Sequence, residues 1–163
     1  MKKLVLFIFL SIFLSAQAQT LKGGVSEEHI SKGFFGSWGV ISKLKNTNNP
    51  SLFKYESRDI WSLSGYSNIL FLENFESGAK SQITVKDTKK DFLKFERKKE
   101  IKQTEGKIVY REIVEFNLHN NNFSGTDTFF VEKYDLKNNL LEKNQAQYQI
   151  EGTKISGRAP ELD

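Results

Sequence analysis

The sequence predicts an all-β fold: an eight-stranded antiparallel up-and-down β-barrel, entered through a short N-terminal helical turn. Three observations predict it. Runs rich in β-branched and aromatic residues recur with turn residues between them, and eight can be counted. No helix-period stretch of useful length interrupts them. The only prolines, Pro50 and Pro160, lie outside these runs. Consecutive strands with short connections make a meander, and closing the meander removes both unpaired edges. An open sheet or half-barrel is the alternative architecture.

Residues 1–18 read as a signal peptide and are set apart from the fold. Met1-Lys2-Lys3 is a positive n-region, Leu4 to Leu14 an apolar h-region, and Ser15-Ala16-Gln17-Ala18 a small-x-small cleavage pattern. The mature chain then begins at Gln19. The apolar run falls short of the roughly 20 residues that span a bilayer, and no cysteine follows the cleavage site to carry a lipid. A bacterial chain exported to the periplasm or the medium is expected, with no transmembrane span after cleavage; a retained N-terminal anchor is the alternative. Absence of cysteine means packing alone must hold an exported fold, and it excludes thiol catalysis, thiolate metal sites and redox chemistry. The formal charge of +4 falls to about +2 without Lys2 and Lys3, too weak to imply a nucleic-acid partner.

Residues 19–33 are a polar lead-in, in which Ser26-Glu27-Glu28-His29-Ile30 suits one helical turn with Ser26 as N-cap. The barrel occupies 34–157 and a polar tail 158–163. The first strand, about Phe35 to Leu44, opens on Phe34-Phe35-Gly36-Ser37-Trp38-Gly39-Val40, where a Trp between glycines can bury a large apolar surface. An Asn-rich loop with Pro50 spans Lys45 to Lys54. The second strand, Glu56 to Leu63, centres on Ile60-Trp61. The third, Asn68 to Phe75, is apolar on both faces. Glu76-Ser77-Gly78 reads as a three-residue hairpin loop, which sets Phe75 opposite Ala79, Phe71 opposite Ile83 and Ile69 opposite Val85.

The fourth strand alternates Ala79, Ser81, Ile83 and Val85 against Lys80, Gln82, Thr84 and Lys86. The fifth, Asp91 to Ile101, and the sixth, Lys107 to Leu118, share an apolar side if an even-numbered loop pairs Lys102 with Lys107. That register sets Phe95 opposite Val114 and Arg97 opposite Glu112. After the turn at Asn120-Asn121-Asn122, the seventh strand runs from Phe123 to Leu136 with a bulge expected at Ser124-Gly125. Lys137 to Glu142 makes the last turn. The eighth strand, Asn144 to Ser156, sets Ala146, Tyr148 and Ile150 against Gln145, Gln147 and Gln149. The odd-numbered Ile155 suggests a bulge at Glu151-Gly152. Polar outer columns on the fourth and eighth strands argue against a transmembrane barrel, which needs a lipid-facing apolar column on every strand.

Gly36-Ser37-Trp38 matches the G-x-W that opens the first strand of the calycin superfamily, and the chain resembles the lipocalin-like barrels of that group. The resemblance implies a basic side chain from the end of the last strand stacked on the Trp, with Lys154 and Arg158 as candidates. Thr126-Asp127-Thr128 resembles the T-D-x motif of lipocalins but sits inside the seventh strand and lacks the usual aromatic. The lipocalin disulfide and a helix-period stretch after the eighth strand are both missing from this sequence.

The resemblance implies a barrel that binds a small hydrophobic or amphipathic molecule. Expected pocket liners are Trp61, Phe71, Ile83, Phe95, Tyr110, Phe116 and Tyr148, with the 45–54 loop guarding the mouth. Arg97, beside Glu112, offers a fork that meets a ligand carboxylate bidentately; the alternative for this pair is a cross-strand salt bridge on a wet face. Glu73 is a similar charged residue in an apolar column. The segment from Lys86 to Arg111 holds ten basic and five acidic residues, which reads as a solvated face. No catalytic residue, cofactor or metal is expected: His29 and His119 have no metal-ligand spacing, and Ser77-Gly78-Ala79-Lys80 falls on a turn. The alternative functions are a filled barrel acting as an envelope interaction or inhibitor module and, third, an isomerase or hydrolase on the same scaffold.

Overall fold

The expected strand runs form strands. The computed structural model describes residues 30–66, 69–75 and 78–156. A 3-10 turn, Lys32–Phe34, leads into β1 (Gly36–Thr47), β2 (Glu56–Tyr66), β3 (Ile69–Asn74), β4 (Ala79–Lys89), β5 (Phe92–Gln103), β6 (Gly106–His119), β7 (Asn122–Tyr134) and β8 (Leu140–Ser156). Each strand pairs with the next, and β1 pairs antiparallel with β8, so the sheet closes into a barrel with no free edge. Among the described residues no helix is long and apolar enough to cross a membrane.

Alternation sorts the side chains. Trp38, Val40, Trp61, Leu63, Leu70, Leu72, Ile83, Val85, Leu93, Phe95, Val114, Phe116, Phe123 and Ile150 point inward as one buried cluster. The N-terminal turn and the connections after β2, β4 and β6 lie at one end, here the closed end. The connections after β1, β3, β5 and β7 ring the other, the mouth. Gly36 has φ 122°, a backbone conformation that an L side chain resists, and this kink turns the chain from the N-terminal turn into β1. The β5–β6 register is the expected one, with Phe95 opposite Val114, Arg97 opposite Glu112 and Lys102 opposite Lys107.

Three expectations are corrected. The β3–β4 hairpin pairs Asn74 with Ala79 and Leu70 with Ile83, one residue away from the expected register. Gly78 is left-handed as anticipated (φ 66°), but Phe75 leaves the β4 ladder and the connection spans four residues, 75–78. A one-residue slip reverses the faces. Leu70 and Leu72 therefore point inward, and Phe71 points outward beneath Lys80, whose Nζ is 5.2 Å from the ring centroid. Glu73 also leaves the apolar column and faces Lys80 on the outside at 3.9 Å.

β8 keeps its even-numbered residues inward through Gly152 and Lys154 without a bulge at Glu151-Gly152, and Ile155 lies exposed outside. The irregularities of this seam sit elsewhere: Ile155 of β8 is the extra residue opposite Ser37-Trp38, and Lys45 of β1 is the extra residue opposite Gln147-Tyr148. The β6–β7 ladder is also continuous past Ser124-Gly125. Gly125 is there for space, since a Cβ would lie 2.6 Å from the Cβ of Phe116. Strand ends differ by a few residues from expectation, most at β8, which starts at Leu140. Most of the Ser26–Ile30 turn, and Arg158, lie outside the described residues.

Candidate functional site: a charged layer inside the barrel mouth

The closed end is plugged. Phe34 enters the barrel with its ring edge-on to Phe116 at 5.5 Å, and Phe116, Phe123 and Trp38 continue the aromatic stack. Trp38 is 2% exposed and donates from Nε1 to the Phe34 carbonyl at 3.0 Å. Lys154, its partner across the β1–β8 seam, sets Nζ 4.9 Å from the indole centroid and donates to the Gly33 carbonyl at 2.8 Å. One lysine thus ties the last strand to the Trp and to the N-terminal turn. Burial holds its ammonium below the usual lysine pKa.

Towards the mouth the inward residues change character. Arg97 on β5 and Glu112 on β6 face each other as a directly opposed pair and are 7% and 2% exposed. Arg97 Nη2 donates to Glu112 Oε1 at 2.9 Å, and Nε meets Oε2, so the fork is bidentate. The pair lies in the interior, not on a wet face. Burial lowers the Arg97 pKa to about 10, with Asp127 and Asp59 opposing that shift, so the side chain stays cationic at neutral pH.

Asp127 on β7 lies between Val114 of β6 and Tyr148 of β8 and points inward at 3% exposure. Its Oδ1 is buried and has no hydrogen-bond partner among the described residues. Burial pushes its carboxyl up to about 7, the positive field of Arg97 pulls it down, and Asp59 pushes it up again. Asp59 on β2 is better supplied, accepting from Ser57 Oγ and Asn74 Nδ2, each at 3.0 Å. Arg97, Asp127 and Asp59 therefore share one electrostatic environment, in which the guanidinium is paired with Glu112 and feels the charges of Asp127 and Asp59.

Tyr148 links this layer to the mouth. Its hydroxyl donates to the Lys54 carbonyl at 3.1 Å, its ring lies edge-on to Phe129 at 6.4 Å, and burial with Asp127 nearby pushes its pKa up to about 12. The β1–β2 connection is also pinned to β8: Asn48 Nδ2 donates to the Lys143 carbonyl at 2.9 Å and Asn49 Nδ2 to Asn144 Oδ1 at 3.0 Å. Phe53 packs from this loop onto the buried cluster. The loop expected at the mouth is held there by Tyr148.

The structure divides the residues expected to line a pocket. Trp61, Ile83, Phe95 and Phe116 are buried and inward, and Trp61, Phe95 and Phe116 belong to the aromatic stacking of the interior. Arg97, Glu112, Tyr110 and Tyr148 lie towards the mouth; Tyr110 is half-buried, in register with Lys99 and Val131. Phe71 is outside. Sequence reasoning missed Asp127, Asp59 and Phe129. Strand parity was the available signal: Phe123, Asp127 and Phe129 alternate on one face, and Asp59 is two residues from Trp61.

The outer face of β5–β7 carries a groove of about 510 Å³ lined by Lys98, Glu100, Val109, Arg111, Glu132 and Tyr134 among others. Glu132 meets Arg111 at 3.8 Å and Lys143 at 3.5 Å, and Arg111 stacks 4.2 Å over Phe130. These charges are largely paired with each other. Among the described residues, no group of three or more His, Asp or Glu side chains is placed to hold a metal ion. No protein-family model, curated protein or solved structure matches this chain significantly.

Proposed function

We propose that the chain is an exported, lipocalin-like barrel that binds a small, mainly apolar, amphipathic molecule at the mouth end of its interior, without catalysis. The observation that carries this reading is the change along the inner wall, from an aromatic plug at the closed end to a charged layer with an unfilled hydrogen-bonding position at the mouth. Buried polar groups are ordinarily satisfied, and an unsatisfied one points to a ligand or a water. An eight-stranded barrel has room for one small ligand. Exposed Tyr55, Phe75, Leu136, Leu140 and Leu141 belong to the mouth-side connections and their flanks, where an apolar molecule would enter. The calycin assignment is supported by Lys154 over Trp38 within a G-x-W opening, and export by the leader sequence.

The test is a fluorescence titration of the exported protein with the neutral apolar dye N-phenyl-1-naphthylamine, alongside native mass spectrometry. The expected result is saturable one-to-one binding, and a species heavier than the bare chain by one small molecule. A linear, unsaturable response with only the bare mass would overturn the reading.

A second reading, a filled barrel working as an envelope interaction module, is favoured by the near-zero exposure of Phe34, Leu93, Phe95, Val114 and Ile150. It predicts the second of those outcomes.

A further inference from the structure

We propose that the interior site selects a ligand carrying a protonated amine, with Asp127 as the carboxylate that receives it. The inference rests on the interior-binding reading above and narrows it to one class of headgroup. Four observations lead there. The Nε–Nη2 edge of Arg97, the geometry that grips a carboxylate bidentately, is already occupied by Glu112. Asp127 Oδ1 is buried inside the barrel and lacks a hydrogen-bond donor among the described residues. Asp59, another inward carboxylate, already accepts from Ser57 and Asn74. Among the described residues the layer sets Arg97 against Glu112, Asp127 and Asp59, with Lys99 one step further towards the mouth, so acids outnumber bases and the field favours a positive group over an anion.

An alkylammonium fits these needs together. It supplies N–H donors to a desolvated carboxylate, where a charge-assisted hydrogen bond is strongest. The rings of Phe129 and Tyr148, set edge-to-face beside Asp127, offer aromatic surface to a cation and its first methylenes. The same layer has no arrangement that would hold a bare metal ion among the described residues, so the excess of acid is not explained that way.

The experiment compares octylammonium, octanoate and octanol by isothermal titration into the exported protein at pH 8, and repeats the series with Asp127→Asn, whose fold is checked by thermal melting. Octylammonium is expected to bind about tenfold or more tighter than octanol, and octanoate weaker than both. Asp127→Asn should keep octanol binding and lose the amine preference. Octanoate binding as tightly as octylammonium, or an amine preference that survives Asp127→Asn, would overturn the assignment. Octanol binding without any amine preference overturns this inference alone. Binding of none of the three overturns the interior-binding reading with it.

A second readout needs no variant. Asp127 is faced by Arg97, Glu112, Asp59 and Tyr148, with Lys99 and Tyr110 one step further towards the mouth, and burial pushes its carboxyl up to about 7. The octylammonium-to-octanol affinity ratio should therefore fall as pH drops from 8 to 5; a flat ratio counts against Asp127 as the receiving group.

Discussion

Lys154 lies over the ring of Trp38, 4.9 Å from Nζ to centroid, at the seam where the last strand meets the first. The contact joins residues more than a hundred positions apart and shares its cation with the carbonyl of Gly33. It therefore closes the barrel and fixes the N-terminal turn together.

Removing either side of that contact should act on stability. Trp38 is buried against Phe34 and Phe123, so Trp38→Ala should cost about 3–5 kcal/mol in chemical denaturation. Lys154→Met keeps the apolar stem and deletes the cation; its cost should be about 1–2 kcal/mol, from the ring contact and one hydrogen bond. A Trp38→Ala midpoint within error of the parent would remove Trp38 from the closure.

The β3 register gives a sharper contrast between neighbours. Leu72 is buried inside and Phe71 lies outside under Lys80. Leu72→Ala should cost about 2–5 kcal/mol, whereas Phe71→Ala should cost about 1 kcal/mol or less despite deleting the larger side chain. The opposite ranking would restore the three-residue hairpin loop and place Phe71 in the core.

The same strand shows what the sequence could and could not convey. Ile69-Leu70-Phe71-Leu72 is apolar at both parities, so only the loop length decided its faces, and three and four residues were both compatible with Gly78 being left-handed. The β5–β6 hairpin carried more information: the apolar columns Leu93-Phe95-Ile101 and Val114-Phe116-Leu118 fall on one side in one register, and that register sets the charged Arg97 opposite Glu112 within them. Asp127 is less legible, because within Thr126-Asp127-Thr128 only its shared parity with Phe123 and Phe129 turns it inward. Its lone Oδ1 depends on what four other strands bring to the interior, which no local pattern encodes. The seam between Lys154 and Trp38 was legible through the resemblance carried by Gly36-Ser37-Trp38, which implies a basic partner at the end of β8 and leaves Lys154 and Arg158 as candidates.

Arg97 and Glu112 should behave as a unit. Arg97→Met leaves a buried carboxylate without its counter-ion and should cost about 3–5 kcal/mol. Adding Glu112→Leu removes the stranded charge, so the double variant should recover most of that loss. Stability from denaturant midpoints closes the cycle, and additive single costs would mean that the two side chains are not coupled.

Asp127 should give the protein an unusual pH profile. Its folded-state pKa is about 7 against an ordinary value of 3.8, so between those values the folded chain holds a proton that the unfolded chain has released. Stability contributed at this site therefore falls as pH rises through that window, and above pH 7 the full penalty of an ionised, desolvated carboxylate is present. Most carboxylates that are paired in the native state act in the opposite sense. Asp127→Asn removes the titrating group while keeping its shape, so it should stabilise the protein at pH 8 and have progressively less effect towards pH 4. Arg97 must keep its partner Glu112 for this to hold, because the guanidinium is what pulls the Asp127 carboxyl back down. Thermal melts of both proteins at pH 4, 6 and 8 measure the difference, and an Asn variant less stable than the parent at pH 8 would show that Asp127 is held in its ionised form by partners it does not have among the described residues.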